Sequence, residues 1–143
     1  MIGREGASDR KNGIIILDVS NPYDVKILSE YTKNLTGGVH NVFIDNDHVY
    51  ALSGSQRYFV INIEDPKNPV EVGMFEVGKE GQSIHDVWIE DGIAYSSNWR
   101  DGVYLVDVGN GIADGSPSNP VAFANYDYAT AVSYTHLTLP TKA

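Results

Sequence analysis

The feature that most limits what this chain can fold into is a repeat near 45 residues. The segment Val39-His40-Asn41-Val42-Phe43-Ile44-Asp45 returns as Ile84-His85-Asp86-Val87-Trp88-Ile89-Glu90, and Tyr50 returns as Tyr95 at the same spacing of 45. The tract Ile15-Ile16-Leu17-Asp18-Val19 returns as Phe59-Val60-Ile61-Asn62-Ile63 and again as Tyr104-Leu105-Val106-Asp107-Val108, at spacings of 44 and 45. Asn68-Pro69-Val70-Glu71-Val72 returns as Asn119-Pro120-Val121-Ala122-Phe123, after a longer loop over 109–118. The units lie near 13–38, 39–83 and 84–128. A unit this small cannot bury its apolar faces alone, so its neighbours must cover them.

Each complete unit reads as four short strands, because Val, Ile, Tyr and Phe gather in runs bounded by turn residues. The middle unit places them near 39–45, 48–53, 57–63 and 70–77; the next near 84–90, 93–98, 102–108 and 120–127. Asn46-Asp47 and Asp91-Gly92 stand where the first and second strands reverse, and these residues tolerate positive φ. Pro66 and Pro69 fall between the third and fourth strands, where no ladder donor is needed. No stretch holds a 3.6 period over three turns. Along the first strand His40, Val42 and Ile44 alternate with Asn41 and Phe43, and His85, Val87 and Ile89 with Asp86 and Trp88. Both faces carry apolar residues, so both are covered. Sheets of four strands covered on both faces by sister sheets are the blades of a β-propeller. The expectation is all-β: a partial β-propeller of about two and a half to three four-stranded antiparallel blades.

The third-strand tracts Ile15-Ile16-Leu17-Asp18-Val19 and Leu105-Val106-Asp107-Val108 resemble the LVIVD repeat of bacterial β-propeller proteins. Asp18-Val19-Ser20-Asn21-Pro22 is similar to that repeat's continuation, as is Ile84-His85-Asp86-Val87 followed by Ile93-Ala94-Tyr95. The likeness spans about residues 13–128. It implies an extracellular, periplasmic or surface location and speaks weakly to function. The first unit is expected to lack its two inner strands, with Gly3 in the loop before its third strand. Closed propellers have about 4–8 blades, so both ends are expected to fall inside blades of a longer protein. An isolated copy then presents uncovered sheet faces and edges.

Composition narrows the function classes. Lys and Arg number 10 against 19 Asp and Glu, a net charge of −9. An acidic chain without a basic run does not neutralise phosphates, which excludes a nucleic-acid footprint. Absence of Cys excludes disulfides and thiolate metal sites. No apolar run approaches the ~18 residues of a membrane span, and Met1–Gly6 carries no apolar signal-peptide core. The tail 131–143 breaks the texture: it has no Asp, Glu or Gly. Back-translated in one frame it resembles a transposase-type sequencing adapter, so a non-native tail is expected there and His136 is assigned no role.

His40 and His85 hold the same place, at the entry to the innermost strand. In one reading they are structural, each imidazole hydrogen-bonding within its own blade to a partner such as Ser53 or Asn41, with the rings well apart. In a second they turn to the channel and share a metal such as Zn or Fe, with Asn41 and Asp86 behind them; in a third His40, His85 and Asp86 contact a ligand without a metal. Ser96–Gly102 joins two strands and carries Trp99 and Arg100, a pairing common at binding hot spots. The alternative there is a Trp99 packed on its own hairpin and an Arg100 paired with Asp101. Arg4, Arg57 and Arg100 near one rim suggest an anionic ligand. The acidic turns 45–47 and 90–92 lack the spacing of a calcium loop, and Gly109–Gly115 is not a dinucleotide loop. Asn34-Leu35-Thr36 is a formal glycosylation sequon. No nucleophile elbow, H-E-x-x-H pair or P-loop occurs. The favoured function is therefore a non-catalytic scaffold, without a cofactor, that binds a protein or carbohydrate partner. The alternative is a metal-dependent enzyme with a histidine ring at the channel mouth.

Overall fold

A computed structural model describes residues 1–4, 12–54, 56–78 and 83–127. The tail 131–143 lies outside the described residues. Within them the chain forms β1 (Ile2–Arg4), β2 (Gly13–Asp18), β3 (Lys26–Tyr31), β4 (Val39–Asp45), β5 (His48–Ser53), β6 (Arg57–Asn62), β7 (Val70–Glu76), β8 (Asp86–Glu90), β9 (Ile93–Ser97), β10 (Val103–Asp107) and β11 (Val121–Tyr126). They make three antiparallel sheets, one per repeat: β1-β2-β3, β4-β5-β6-β7 and β8-β9-β10-β11. No helix occurs among the described residues.

One expectation needs correction. Gly3 is not in a loop: Ile2, Gly3 and Arg4 pair with Ile15, Ile14 and Gly13. The first unit therefore holds a short second strand. A three-residue run with a central glycine carries too little strand signal to read from sequence.

The repeat extends to the details of the backbone. Each unit breaks register between its third and fourth strands at the same step: Ile16/Leu17, Val60/Ile61 and Leu105/Val106. A bulge at this step bends the outer strand and increases local twist. Each third strand ends on Asp18, Asn62 or Asp107. Its side-chain oxygen accepts the N–H two residues on, from Ser20 at 2.9 Å, Glu64 at 3.0 Å and Gly109 at 2.9 Å. These Asx turns steer the chain off the sheet. A β-turn with proline second follows in every unit: Asp24 N–H donates to Asn21 O, Asn68 N–H to Asp65 O and Asn119 N–H to Ser116 O, each at 3.0 Å. Proline presets the φ that this turn position requires. At the hairpins, Asp91 and Gly92 both take positive φ, as does Asn46.

Two apolar layers lie between the sheets. Ile14, Tyr31 and Leu35 of the first unit meet Val49, Ala51, Phe59 and Ile61 of the second. Tyr50, Tyr58, Val60 and Phe75 on the other face of the second sheet meet Val87, Ile89, Ala94 and Val106 of the third. The middle sheet is covered on both faces, as its two-sided apolar pattern requires. Ile44 departs from the expectation: it is exposed while its repeat mate Ile89 is buried. The register shift between Val39 and Val42 turns the start of β4 out of strict alternation.

The unit joints follow one plan with different chemistry. Ser29 on β3 donates its hydroxyl to Pro66 O at 2.6 Å, in the proline turn of the next unit. Gly73, its repeat mate on β7, lies against the next such turn: a Cβ there would stand 2.2 Å from Pro117 O. Across the first joint, Glu71 accepts from Tyr31 Oη and from Asn34 Nδ2. Burial, with the Glu71 charge beside it, holds the Tyr31 phenol up to about 12.

Candidate functional site

The first strands of the two complete units, β4 and β8, run side by side. Residues 45 apart in sequence meet there as pairs. The rings of His40 and His85 are edge to face with centroids 4.9 Å apart at 67°. Phe43 and Trp88 stand 4.9 Å apart at 55°. Asn41 Nδ2 donates to Asp86 Oδ1. Two copies related by a rotation move equivalent atoms least near the axis. These contacts therefore mark the edge around which one unit turns into the next.

The expectation that kept the two imidazoles well apart is overturned. Equivalence in sequence does not fix distance from the axis, and His40 and His85 are close to it. Asp86 accepts from Val87 N–H at 2.8 Å as well as from Asn41. Asn41 Oδ1 likewise accepts from Val42 N–H at 2.8 Å. The Asn41–Asp86 pair is thus a bridge between units.

Trp99 completes the cluster. Its ring stands edge to face on His85, with centroids 4.7 Å apart at 84°. The loop that carries it is closed by Asn98 N–H to Gly102 O and Asp101 N–H to Asn98 O, both 2.8 Å. This closure forces Trp99 to φ 44°. A bulky side chain in the left-handed region is strained, and such strain persists only where the surroundings over-determine it. Trp99 nevertheless remains 42% exposed. It walls a pocket of about 220 Å³ with His40, His85, Leu52 and Ser83, and Gly37, Gly38 and Gly54 add further lining. Arg100 is exposed and borders an adjoining hollow with Trp99, Ser83 and Asp101.

The other arginines do not join it. Arg4 is held by Glu30 at 2.9 Å and Arg57 by Glu76 at 2.7 Å. Each of these arginines thus already faces a carboxylate of its own sheet. The turns at 45–47 and 91–92 line a common hollow of about 470 Å³ with His48, Tyr50 and Pro117. Among the described residues no three His, Asp or Glu side chains are placed to hold a metal. The Asn34 amide of the sequon is engaged with Glu71, at 3.0 and 3.2 Å.

Sequence reading missed a heavily bonded side chain. Asp107 is fully buried. Its Oδ1 accepts from the N–H groups of Gly109, Asn110 and Gly111 at 2.9, 2.8 and 3.2 Å. Its Oδ2 accepts from Ala113 at 2.8 Å and Gly115 at 3.1 Å. The loop 109–115 is wrapped around one carboxylate. Gly109, Gly111 and Asp114 take positive φ, which aims successive N–H groups inward. Hydrogen bonding led by Ala113 N–H holds the Asp107 carboxyl well below the usual carboxylate range. The available signal was a glycine-rich loop starting two residues after an Asp.

No family model, curated protein or solved structure matches the chain.

Proposed function

We propose that this is a non-catalytic binding module of the LVIVD-like propeller class, exported or surface-attached, that engages a carbohydrate or protein partner at the Trp99 pocket. The observation that carries this reading is the ring cluster: a strained, part-exposed Trp99 braced by His85 and His40 beside a small open pocket. An aromatic face held in place stacks on a sugar ring or a flat peptide group without the ordering cost of a free side chain. The repeated sheets supply the rigid frame. The likeness of the third-strand tracts to the LVIVD repeat supports a propeller frame and a location outside the cytoplasm. The sequence carries no nucleophile elbow, H-E-x-x-H pair or P-loop.

Titration calorimetry with a panel of oligosaccharides and short peptides tests the reading. At least one class is expected to bind, with affinity falling about 10-fold or more in Trp99→Ala, the cost of losing a hot-spot aromatic. Binding that survives Trp99→Ala unchanged, or no binding by either class, rejects it.

The His40–His85 contact favours a second reading, a transition-metal site for Zn or Fe and with it a metal-dependent enzyme. Two imidazoles on one tetrahedral metal, with bonds of about 2.0–2.1 Å, place their centroids roughly 5 Å apart. The observed 4.9 Å fits that distance. Stoichiometric Zn²⁺ uptake, lost in His85→Ala, distinguishes this reading from the first.

A further inference from the structure

The hairpins β4–β5 and β8–β9 close the end of the second joint away from the Trp99 pocket: His40 stands near the start of β4, and Asp45 ends it. The hollow of about 470 Å³ lies here. Asp45 and Asp47 line it from one hairpin and Asp91 from the other. No Lys or Arg lines it among the described residues. Carboxylates gathered at a concave surface, on a chain of net charge −9, draw cations. Their placement limits which cation fits. Among the described residues no three acidic or histidine side chains are set to hold one metal ion, so the matching ligand carries its positive charges apart. Tyr50, Val108 and Pro117 add an apolar surface beside the carboxylates.

Tyr50 is an independent sign of a ligand. It is 1% exposed, and its ring stands edge to face on Tyr58 with centroids 6.0 Å apart. Its hydroxyl makes no hydrogen bond to the described residues. Burial, with the Asp45 charge beside it, holds the phenol above its usual range. The hydroxyl therefore points to the Asp45 side, where the hollow is, and stays protonated there. A buried polar group without a partner is rare in a folded protein and calls for one.

We propose that this hollow binds a linear di- or polyamine, one ammonium group at the Asp45–Asp47 hairpin and another at Asp91, with the alkyl chain over Tyr50, Val108 and Pro117. Each ammonium donates charge-assisted hydrogen bonds to carboxylates, and the Tyr50 oxygen accepts one more. The site lies at the other rim from Trp99, so the inference does not depend on what that pocket binds.

Isothermal titration calorimetry of the full chain with putrescine, spermidine and butylamine reads the result. Putrescine is expected to bind at one site per chain, about 10-fold or more tighter than butylamine, the return on a second charge-assisted contact. Asp91→Asn and Asp47→Asn each remove the charge from one hairpin, and each is expected to lose about 10-fold in putrescine affinity. Asn suits the positive φ of 51° at position 91. Tyr50→Phe is expected to lose about 3-fold, a neutral hydrogen bond. Glu64→Gln removes an exposed charge outside the hollow and is expected to leave the affinity unchanged. Circular dichroism checks that each variant folds, and a variant on each hairpin keeps the test decisive if one does not. Putrescine held no tighter than butylamine, Ca²⁺ held tighter than either, a lysine-rich peptide that binds where the amines do not, or equal losses in Glu64→Gln and Asp91→Asn overturns the proposal.

Discussion

Asp107→Asn is expected to be among the most damaging single substitutions in the described residues, lowering Tm by roughly 10 °C or more. The change keeps shape and volume. It replaces one acceptor oxygen with an amide that donates, pointing it at the Ala113 and Gly115 N–H groups that now donate to Oδ2. Those buried donors are then opposed by a donor, and unmade buried hydrogen bonds cost more than made ones return. The pH dependence carries a second signature. The folded carboxyl sits below its unfolded value, so its contribution is complete above the unfolded pKa of about 3.9. It is lost as pH falls through the folded value. Wild type is expected to lose this stabilisation below about pH 4, while Asp107→Asn, with no charge there, loses less on acidification. Thermal melts at neutral and acid pH measure both effects. Equal Tm values for the two proteins at neutral pH would show that the loop does not depend on the carboxylate.

Gly73→Ala is expected to destabilise the fold by about 2–3 kcal/mol, the range of forced overpacking. The added methyl would lie 2.2 Å from Pro117 O and 3.0 Å from Ser118 Cα. These are backbone atoms, so no rotamer change makes room, and the second and third units must separate locally. Gly78→Ala serves as the control, because its added methyl meets nothing within 4 Å. Urea unfolding is expected to separate the two variants clearly; equal midpoints would mean that the second joint is looser than described. The Ser29–Pro66 hydrogen bond at the first joint shows the same approach with room for a side chain. Two joints built on one repeat thus have different tolerance to substitution.

The strands were legible because their period of two and their turn residues are local properties. β4 and β5 begin and end where the sequence placed them, and β6 to β11 differ by one or two residues at one or both ends. The Asp91-Gly92 turn was legible for the same reason, since both residues can take the positive φ it shows. What the sequence could not supply was distance between elements. His40 and His85 were recognisable as mates, but their contact depends on how far they stand from the axis of the repeat. Arg4 and Arg57 looked available because Glu30, two strands away, and Glu76, across the ladder, reach them only in the folded sheets. Asp107 looked like one more residue of a repeated strand end. Its partners are backbone N–H groups, and these have no letter in a sequence. Only the folding of 109–115 brings five of them to one carboxylate.

The repeats turn about an edge where equivalent residues touch. A NOESY spectrum of the chain with labelled histidine and aromatic rings tests it most directly. Cross-peaks are expected between the rings of His40 and His85, and between those of Phe43 and Trp88, whose centroids lie 4.9 Å apart in both pairs. A spectrum with the intra-sheet contact of Tyr58 and Phe75, 5.3 Å apart, but neither of the pairs between units would contradict it.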